Sequence, residues 1–519
     1  MLDLAWEPIL AGPSWMVFVT PGLGLLAAAG LLRLTHGSPG TGEEYIRIYH
    51  DRRARVALRD LVPKLLAGAA TIGLGGSMGL EGPSLFAGGT VGEVVQRRFG
   101  SFFNRDEARV MLVAGAAAGI AAVFKAPLTG LVFAMEVPYR DDVARHVLGP
   151  ALVASAAGYI VEVTFRGVDP LIPVVGVGHF TLSELGLAVA LGIVVGLVGR
   201  CLVWLLRRVE QGMSTTRPSV RIAVGAVVLA LCGVGSSVLF GAPLALGTGE
   251  AAIHAAALGE LTATALLALL VFKAVATSVT VAAGGVGGLF FPLVVMGAAL
   301  GAAFGQTVSG SGTLFPLAGM ASLLGAAYHT PLAGVSFVAE ATGRAAFVVP
   351  AFVATAAAYA TIGGASISHR QRGRRVTPLE RMLDVPITDV ATLDKATVDP
   401  GMRLDDFVRH ALEQRFRTFV VVDATGACLG VVDLDAATDV DPALWPDRTV
   451  GEALRDPPVV GRPEWTAHQG LLAMSGAGVD HLPILEATGR LVGVVRSSEV
   501  IRLGRILEQV RSEPPWGQG

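Results

Sequence analysis

A single carboxylate, Glu81, stands inside the run Gly79-Leu-Glu-Gly-Pro83, with small and apolar residues on both sides. A charge so placed in a hydrophobic chain is costly unless it faces protein or a water-filled cavity, so it reads first as a functional group. A Gly-rich segment that opens a helix leaves backbone N–H groups unpaired and carries about half a positive charge. Such a helix start can therefore attract an anion without a formal cation. Gly288-Leu-Phe-Phe-Pro292 repeats the arrangement, and Gly40-Thr-Gly42 is a further Gly-rich segment with a hydroxyl. Such donors replace part of an anion's hydration shell and still let it leave. No nucleophile with a base, His-Glu metal motif or phosphate loop lies in an apolar run, so the chain does not read as an enzyme. A magnesium channel would need carboxylates along its path, which these segments lack.

The residues recur in order. Gly40-Thr-Gly-Glu43 matches Gly247-Thr-Gly-Glu250, Lys64 matches Lys273, and Gly79 to Pro83 matches Gly288 to Pro292. Phe124-Lys-Ala-Pro-Leu-Thr-Gly130 aligns with Tyr328-His-Thr-Pro-Leu-Ala-Gly334, and Glu136 with Glu340. Nearly constant offsets of 207, 209, 209 and 204 residues imply one duplicated half. Kinks in packed helices would explain one motif but not four pairs. Duplicated transporter halves pack about a pseudo-two-fold axis, which brings equivalent broken helices together at mid-membrane. Lys64 and Lys273 then either lie near the path mouths, raising local anion concentration, or pair at helix ends.

The elements that position these groups must lie in lipid. Of 519 residues 52% are hydrophobic and 16% charged, with 66 glycines and a mean hydropathy of +0.60. The apolar mass is Ala, Val, Leu and Gly, which suits close helix packing rather than a barrel. A net charge of -2 offers no basic face for nucleic acid. Cys201, Cys232 and Cys428 read as small buried hydrophobes, with no disulfide framework or metal spacing. Residues 1–14 lack the basic start of a cleavable signal. Apolar runs continue from about Trp15 to Gly364, and the basic stretch His369 to Arg375 places the C-terminal segment in the cytoplasm. The expected organisation is an all-α polytopic membrane domain with an internal inverted repeat over residues 1–375, then an α+β unit over 376–519. That second unit is itself duplicated: Phe419 to Val432 lines up with Leu482 to Val495 at an offset of 63, each copy reading as strand, Thr-Gly turn, strand.

These residues resemble the CLC family of chloride channels and chloride/proton exchangers over roughly residues 15 to 375, and the tail resembles a pair of CBS modules. Gly79 to Pro83 resembles the family's gating-glutamate motif, Gly288 to Pro292 its Gly-x-Phe-x-Pro motif, and Gly40-Thr-Gly42 its Gly-Ser-Gly-x-Pro motif, with Thr for Ser and no Pro. The resemblance implies a central anion between the Thr41 hydroxyl and the Leu289 and Phe290 amides. It implies that Glu81 gates, competing with chloride for an outer site at the Leu80 to Gly82 amides. It also implies a homodimer in the cell membrane, joined through the two Pro-Leu-x-Gly helices and their C-terminal neighbours, with chloride and protons as cargo.

Three departures bear on function. Exchangers of the family often carry an inward-facing glutamate where this chain has Val137, a feature of passive channels; the retained gate inclines the reading to exchange, with a voltage- or pH-gated channel as the alternative. The family's inner tyrosine falls near Ser368, so a hydroxyl donor is weakened there, as in the fluoride-exporting branch, which makes fluoride export a second alternative. A further long helix normally precedes residues 15 to 34, implying a truncated or misassigned start. In the CBS pair only Glu499 stands where an acid would hold a ribose, so the favoured reading is a scaffold without cofactor, and an adenine nucleotide the alternative.

Overall fold

A computed structural model of the chain describes residues 15–33, 39–51, 57–99, 108–172, 180–308, 313–373, 385–392, 396–414, 416 and 418–503. The opening residues, which lack a signal's basic start, and the basic junction beyond residue 373 lie outside them. Two compact units are present, Met1–Arg374 and Arg375–Gly519.

The first unit is helical: α1 (Met16–Leu32), α2 (Thr41–His50), α3 (Leu58–Gly73), α4 (Glu81–Arg98), α5 (Ala108–Phe124), α6 (Pro127–Glu136), α7 (Leu148–Arg166), α8 (Leu182–Ser214), α9 (Pro218–Phe240), α10 (Glu250–Ala257), α11 (Ala263–Ala282), α12 (Phe290–Val308), α13 (Leu314–Ala327), α14 (Pro331–Thr342) and α15 (Val348–Ile362). Among the described residues six helices are long and apolar enough to cross a membrane. Others are too short for the roughly 20 residues a span needs, such as α2 with 10 and α10 with 8. Proline opens α6 and α14, where its missing N–H costs nothing.

Equivalent residues of the two halves bond reciprocally, the signature of a two-fold axis. Gly79 and Gly288 exchange both backbone hydrogen bonds, at 2.9 and 2.8 Å. The Ser77 amide donates to Thr280 Oγ1 at 3.2 Å, and the Val286 amide to Thr71 Oγ1 at 3.1 Å. Glu136, the last residue of α6, accepts from the Leu332 and Ala333 amides at the start of α14, while Glu340 of α14 accepts from the Leu128 and Thr129 amides at the start of α6. The two helices therefore run antiparallel, each closing the other's unpaired donors, so the repeat is inverted as well as duplicated. Lys125 and His329, each two residues before the proline that opens α6 or α14, are the non-glycine residues with positive φ (51° and 55°) among those described.

The second unit carries β1 (Thr397–Val398), α16 (Leu404–Gln414), β2 (Thr418–Val422), β3 (Cys428–Asp433), α17 (Leu434–Thr438), α18 (Ala467–Ala477), β4 (His481–Leu485) and β5 (Leu491–Arg496). β2 pairs antiparallel with β3 and β4 with β5, with a bulge at the same point in each pair. Residues 404–414, 418–422 and 428–433 recur as 467–477, 481–485 and 491–496, so the 63-residue duplication is one of α+β structure.

Candidate functional site

The exchange between Gly79 and Gly288 brings the starts of α4 and α12 face to face. Glu81 opens α4 and is 2% exposed. Its Oε1 accepts a hydrogen bond from the Phe290 amide of the opposite half, and the Phe291 amide is also directed at the carboxylate. Its Oε2 is enclosed without a hydrogen-bond partner. The carboxylate can reach across because position 288 has no side chain: a Cβ on Gly288 would lie 2.1 Å from Oε1 and 2.3 Å from the carboxyl carbon.

Thr41 begins α2 and is fully enclosed. Its hydroxyl is 3.4 Å from the Gly287 carbonyl, and a Cβ on Gly82 would lie 2.5 Å from the Thr41 oxygen. Thr41, Glu81, Gly82, Gly287 and Phe290 are thus neighbours. Leu289 and Leu80, partly buried at the starts of α12 and α4, hold their amides at the same two helix ends. The Glu81 carboxylate takes the Phe290 amide, expected as a donor to the central anion, and also its own backbone amide, one of the Leu80 to Gly82 donors expected at the outer position. The physical reason is reach, since the bare Gly288 leaves the second half's donors open to it.

Ser368 is buried, but its hydroxyl accepts from the Arg370 amide at 3.3 Å and makes no hydrogen bond to Thr41, Glu81 or α12 among the described residues. The hydroxyl that does face the site is Tyr328. Its ring packs edge-on against Phe133 with centroids 5.7 Å apart, and its carbonyl accepts from Gln371 Nε2 at 2.6 Å. Its phenol faces the Leu289 amide, with the carboxylates of Glu81 and Glu43 as charged neighbours. Sequence reasoning missed it. The available signal was an asymmetry of the repeat, in which Tyr328 stands where the first half has Phe124.

Lys64 and Lys273 are both fully enclosed. Lys64 pairs with Glu44 and lies 4.5 Å over the Phe86 ring, and Lys273 donates to the Gly247 carbonyl at 2.9 Å. Lys64 thus ties α3 to α2, Lys273 ties α11 to the Gly247-Thr-Gly249 loop, and neither faces water. Val137 is buried, with its carbonyl accepting from Gln371 Nε2. Glu43 is about one-third exposed (31%), 3.9 Å from Arg370. In the second unit Glu499 is half-buried just after β5, with Oε2 unpartnered, while Asp433 caps α17 through the Ala436 amide at 2.5 Å. No group of three or more metal-ligating side chains occurs among the described residues.

A family model described as voltage gated chloride channel matches residues 23–363, and one described as CBS domain matches 448–505. Proteins called H(+)/Cl(-) exchange transporter ClcA from Salmonella arizonae and Salmonella typhimurium are each 31% identical over 256 residues, 48% of this chain and 53% of theirs. The chain thus matches about half the length of these curated relatives. Among solved structures, a slow cyanobacterial Cl-/H+ antiporter covers 70% of this chain and 89% of its own at 21% identity and a TM-score of 0.61. A CLC-type fluoride/proton antiporter covers 72% and 98% at 23% identity and 0.56, and a eukaryotic CLC transporter 96% and 92% at 18% and 0.58. At these identities the likeness is one of fold.

Proposed function

Because the chain belongs to the family of voltage gated chloride channels, we propose that it carries chloride across a membrane in exchange for protons, with Glu81 as the gate. The observation that carries this reading is the Glu81 carboxylate resting on the Phe290 amide. A carboxylate and a chloride ion compete for the same donors, since two negative charges cannot share them at low dielectric. With Oε2 lacking a donor, protonation releases the side chain at small cost. The freed site offers chloride the amides of Leu289 and Phe290 and the hydroxyls of Thr41 and Tyr328. One movement then couples proton uptake to anion binding.

Glu43 supplies the inner proton in this reading: it is partly open to water, lies two residues from Thr41, and shares the Tyr328 phenol with Glu81 as a neighbour. Residues 1–375 form the transport domain and 376–519 a cytoplasmic CBS pair, an orientation supported by the Arg-rich junction. The homodimer interface is formed by α6, α7, α14 and α15, which expose Leu128, Leu152, Leu332 and Phe352. A passive channel is the second reading, favoured by the apolar Val137.

The deciding experiment reconstitutes the full chain in liposomes under a chloride gradient and records reversal potential and proton movement together. Exchange predicts proton uptake against its own gradient, driven by chloride. Reversal at the chloride Nernst potential without proton flux would assign a passive channel, and vesicles that stay impermeable to halide would defeat both readings.

A further inference from the structure

Outside the anion site the first unit holds a cavity of about 410 Å³ lined by Arg200, Val203, Trp204, Arg207, Arg208, Gln211 and Ala365. Three guanidinium groups converge there, and none makes an ion pair with a carboxylate among the described residues. Arg207 donates through Nη2 to the Ser366 carbonyl at 2.8 Å, but its Nε is enclosed without a partner. Glu210, one turn away, is engaged by His369 at 3.3 Å. Arg200 and Arg208 are exposed and Arg207 half-buried, and like charges held together repel, so a cavity of this composition attracts an anion from outside the chain.

Its position in the fold identifies the source. Helix α8 has 33 residues and is about 50 Å long, against a hydrocarbon core of about 30 Å. Its apolar sequence, broken by Arg200, runs to Leu206 and then turns to Arg207-Arg208-Val-Glu-Gln211. The cavity therefore lies at a membrane boundary, where Trp204, 62% exposed, is typical of the headgroup level. Exposed Val189, Ile193 and Leu197 form a stripe on α8 that leads towards Trp204. Ala365, on the opposite wall, belongs to the stretch leading into the basic junction.

We infer that this cavity binds the headgroup of an anionic phospholipid, with its phosphodiester on Arg200, Arg207 and Arg208, its glycerol against Trp204 and Gln211, and an acyl chain along the α8 stripe. Guanidinium groups grip phosphate oxygens in pairs, and basic pockets between membrane helices take such headgroups. The inference stands apart from the transport reading, since none of these residues borders Glu81 or Thr41.

The test uses the full chain in mild detergent and native mass spectrometry with phosphatidylglycerol or phosphatidylcholine. Arg207 is left intact because it bonds Ser366, and the variant is the double substitution Arg200→Gln, Arg208→Gln. Phosphatidylglycerol should be retained by the parent chain and bound about tenfold more weakly or worse by the variant, with phosphatidylcholine retention equal in both. Phosphatidylglycerol carrying brominated acyl chains should quench Trp204 emission, read as the difference from a Trp204→Phe chain. Halide flux by the variant in phosphatidylcholine vesicles reports its folding independently. Equal phosphatidylglycerol retention by parent and variant would overturn the proposal. So would equal retention of both lipids by the parent, or displacement by inorganic phosphate at the same concentration as by lipid, which would make the site one for a soluble anion.

Discussion

Glu81 and Phe290 belong to opposite halves of the repeat, yet the acid of one accepts the amide hydrogen of the other. On the proposed reading this carboxylate blocks by occupying the cargo's own seat. Glu81→Gln keeps size and removes the charge, so chloride flux should persist while its dependence on pH disappears and proton movement stops. In the parent chain flux should rise with acidity, because protonation of the carboxylate vacates the amides. Liposome efflux at several pH values measures both, and a Glu81→Gln chain whose flux still follows pH would remove Glu81 from the gate.

Gly288 gives a test that leaves the acid in place. A methyl group there would lie 2.1 Å from Oε1, so Gly288→Ala should push the carboxylate off the Phe290 amide and produce chloride flux poorly coupled to protons. With Glu81→Ala already present the added methyl meets no carboxylate, and a second substitution at Gly288 should change flux by less than about twofold. If Gly288→Ala silences both backgrounds equally, the methyl disturbs the loop rather than the gate.

Much of this arrangement was legible in the chain. The four matched segments implied a two-fold axis, and Gly79 pairing with Gly288 is that axis seen at atomic scale. Periodicity and the Thr-Gly turns likewise gave the duplicated α+β unit. What could not be read was reach. That Glu81 reaches an amide of the other half as well as its own depends on how closely two loops approach, and spacing along a chain carries no such distance. For the same reason Lys64 and Lys273 could be matched to each other but not oriented. Tyr328 escaped because its neighbours, Phe133, Leu289 and Glu43, are far from it in sequence.

The crosswise caps predict a stability effect separable from transport. Glu340 accepts from the Leu128 and Thr129 amides and from the Thr129 hydroxyl, each at 2.7 Å. Glu340→Ala strips all three and leaves the α6 start unpaired, which should cost about 2 kcal/mol. The melting temperature in detergent should fall by several degrees while the proton-to-chloride ratio of surviving protein stays the same. A changed ratio with unchanged melting would show that the acid acts in transport instead.

In the second unit the turn after β2 is held by Asp423, whose carboxylate accepts from the Thr425 hydroxyl at 2.6 Å and from the Thr425 and Ala427 amides at 2.8 and 2.9 Å. These donors, the hydroxyl foremost, hold the group below the usual carboxylate range. A depressed value in the folded state means the contribution is fully present above the unfolded value of about 3.9 and is lost as pH falls through the folded one. Asp423→Asn should therefore melt earlier than the parent at pH 7, with the difference closing as pH falls through the lowered folded value. A gap that persists in acid would trace the effect to the shape of the turn rather than its charge.

Tyr328 carries the sharpest prediction about the anion itself. Ser368 accepts from the Arg370 amide and makes no hydrogen bond to Thr41, Glu81 or α12 among the described residues, whereas the Tyr328 phenol faces Leu289. Hydrogen bonds to charged groups contribute roughly 1.5 to 3 kcal/mol, and Tyr328→Phe removes that donor while keeping the ring on Phe133. Titration calorimetry on a Glu81→Ala background, where the gate no longer competes, should find bromide bound about tenfold more weakly. Tyr328→Ala should bind no more weakly than Tyr328→Phe if the hydroxyl alone matters. Unaltered bromide affinity in the phenylalanine chain would mean that the ring serves only as packing, and that Thr41 and the two amides hold the ion without it.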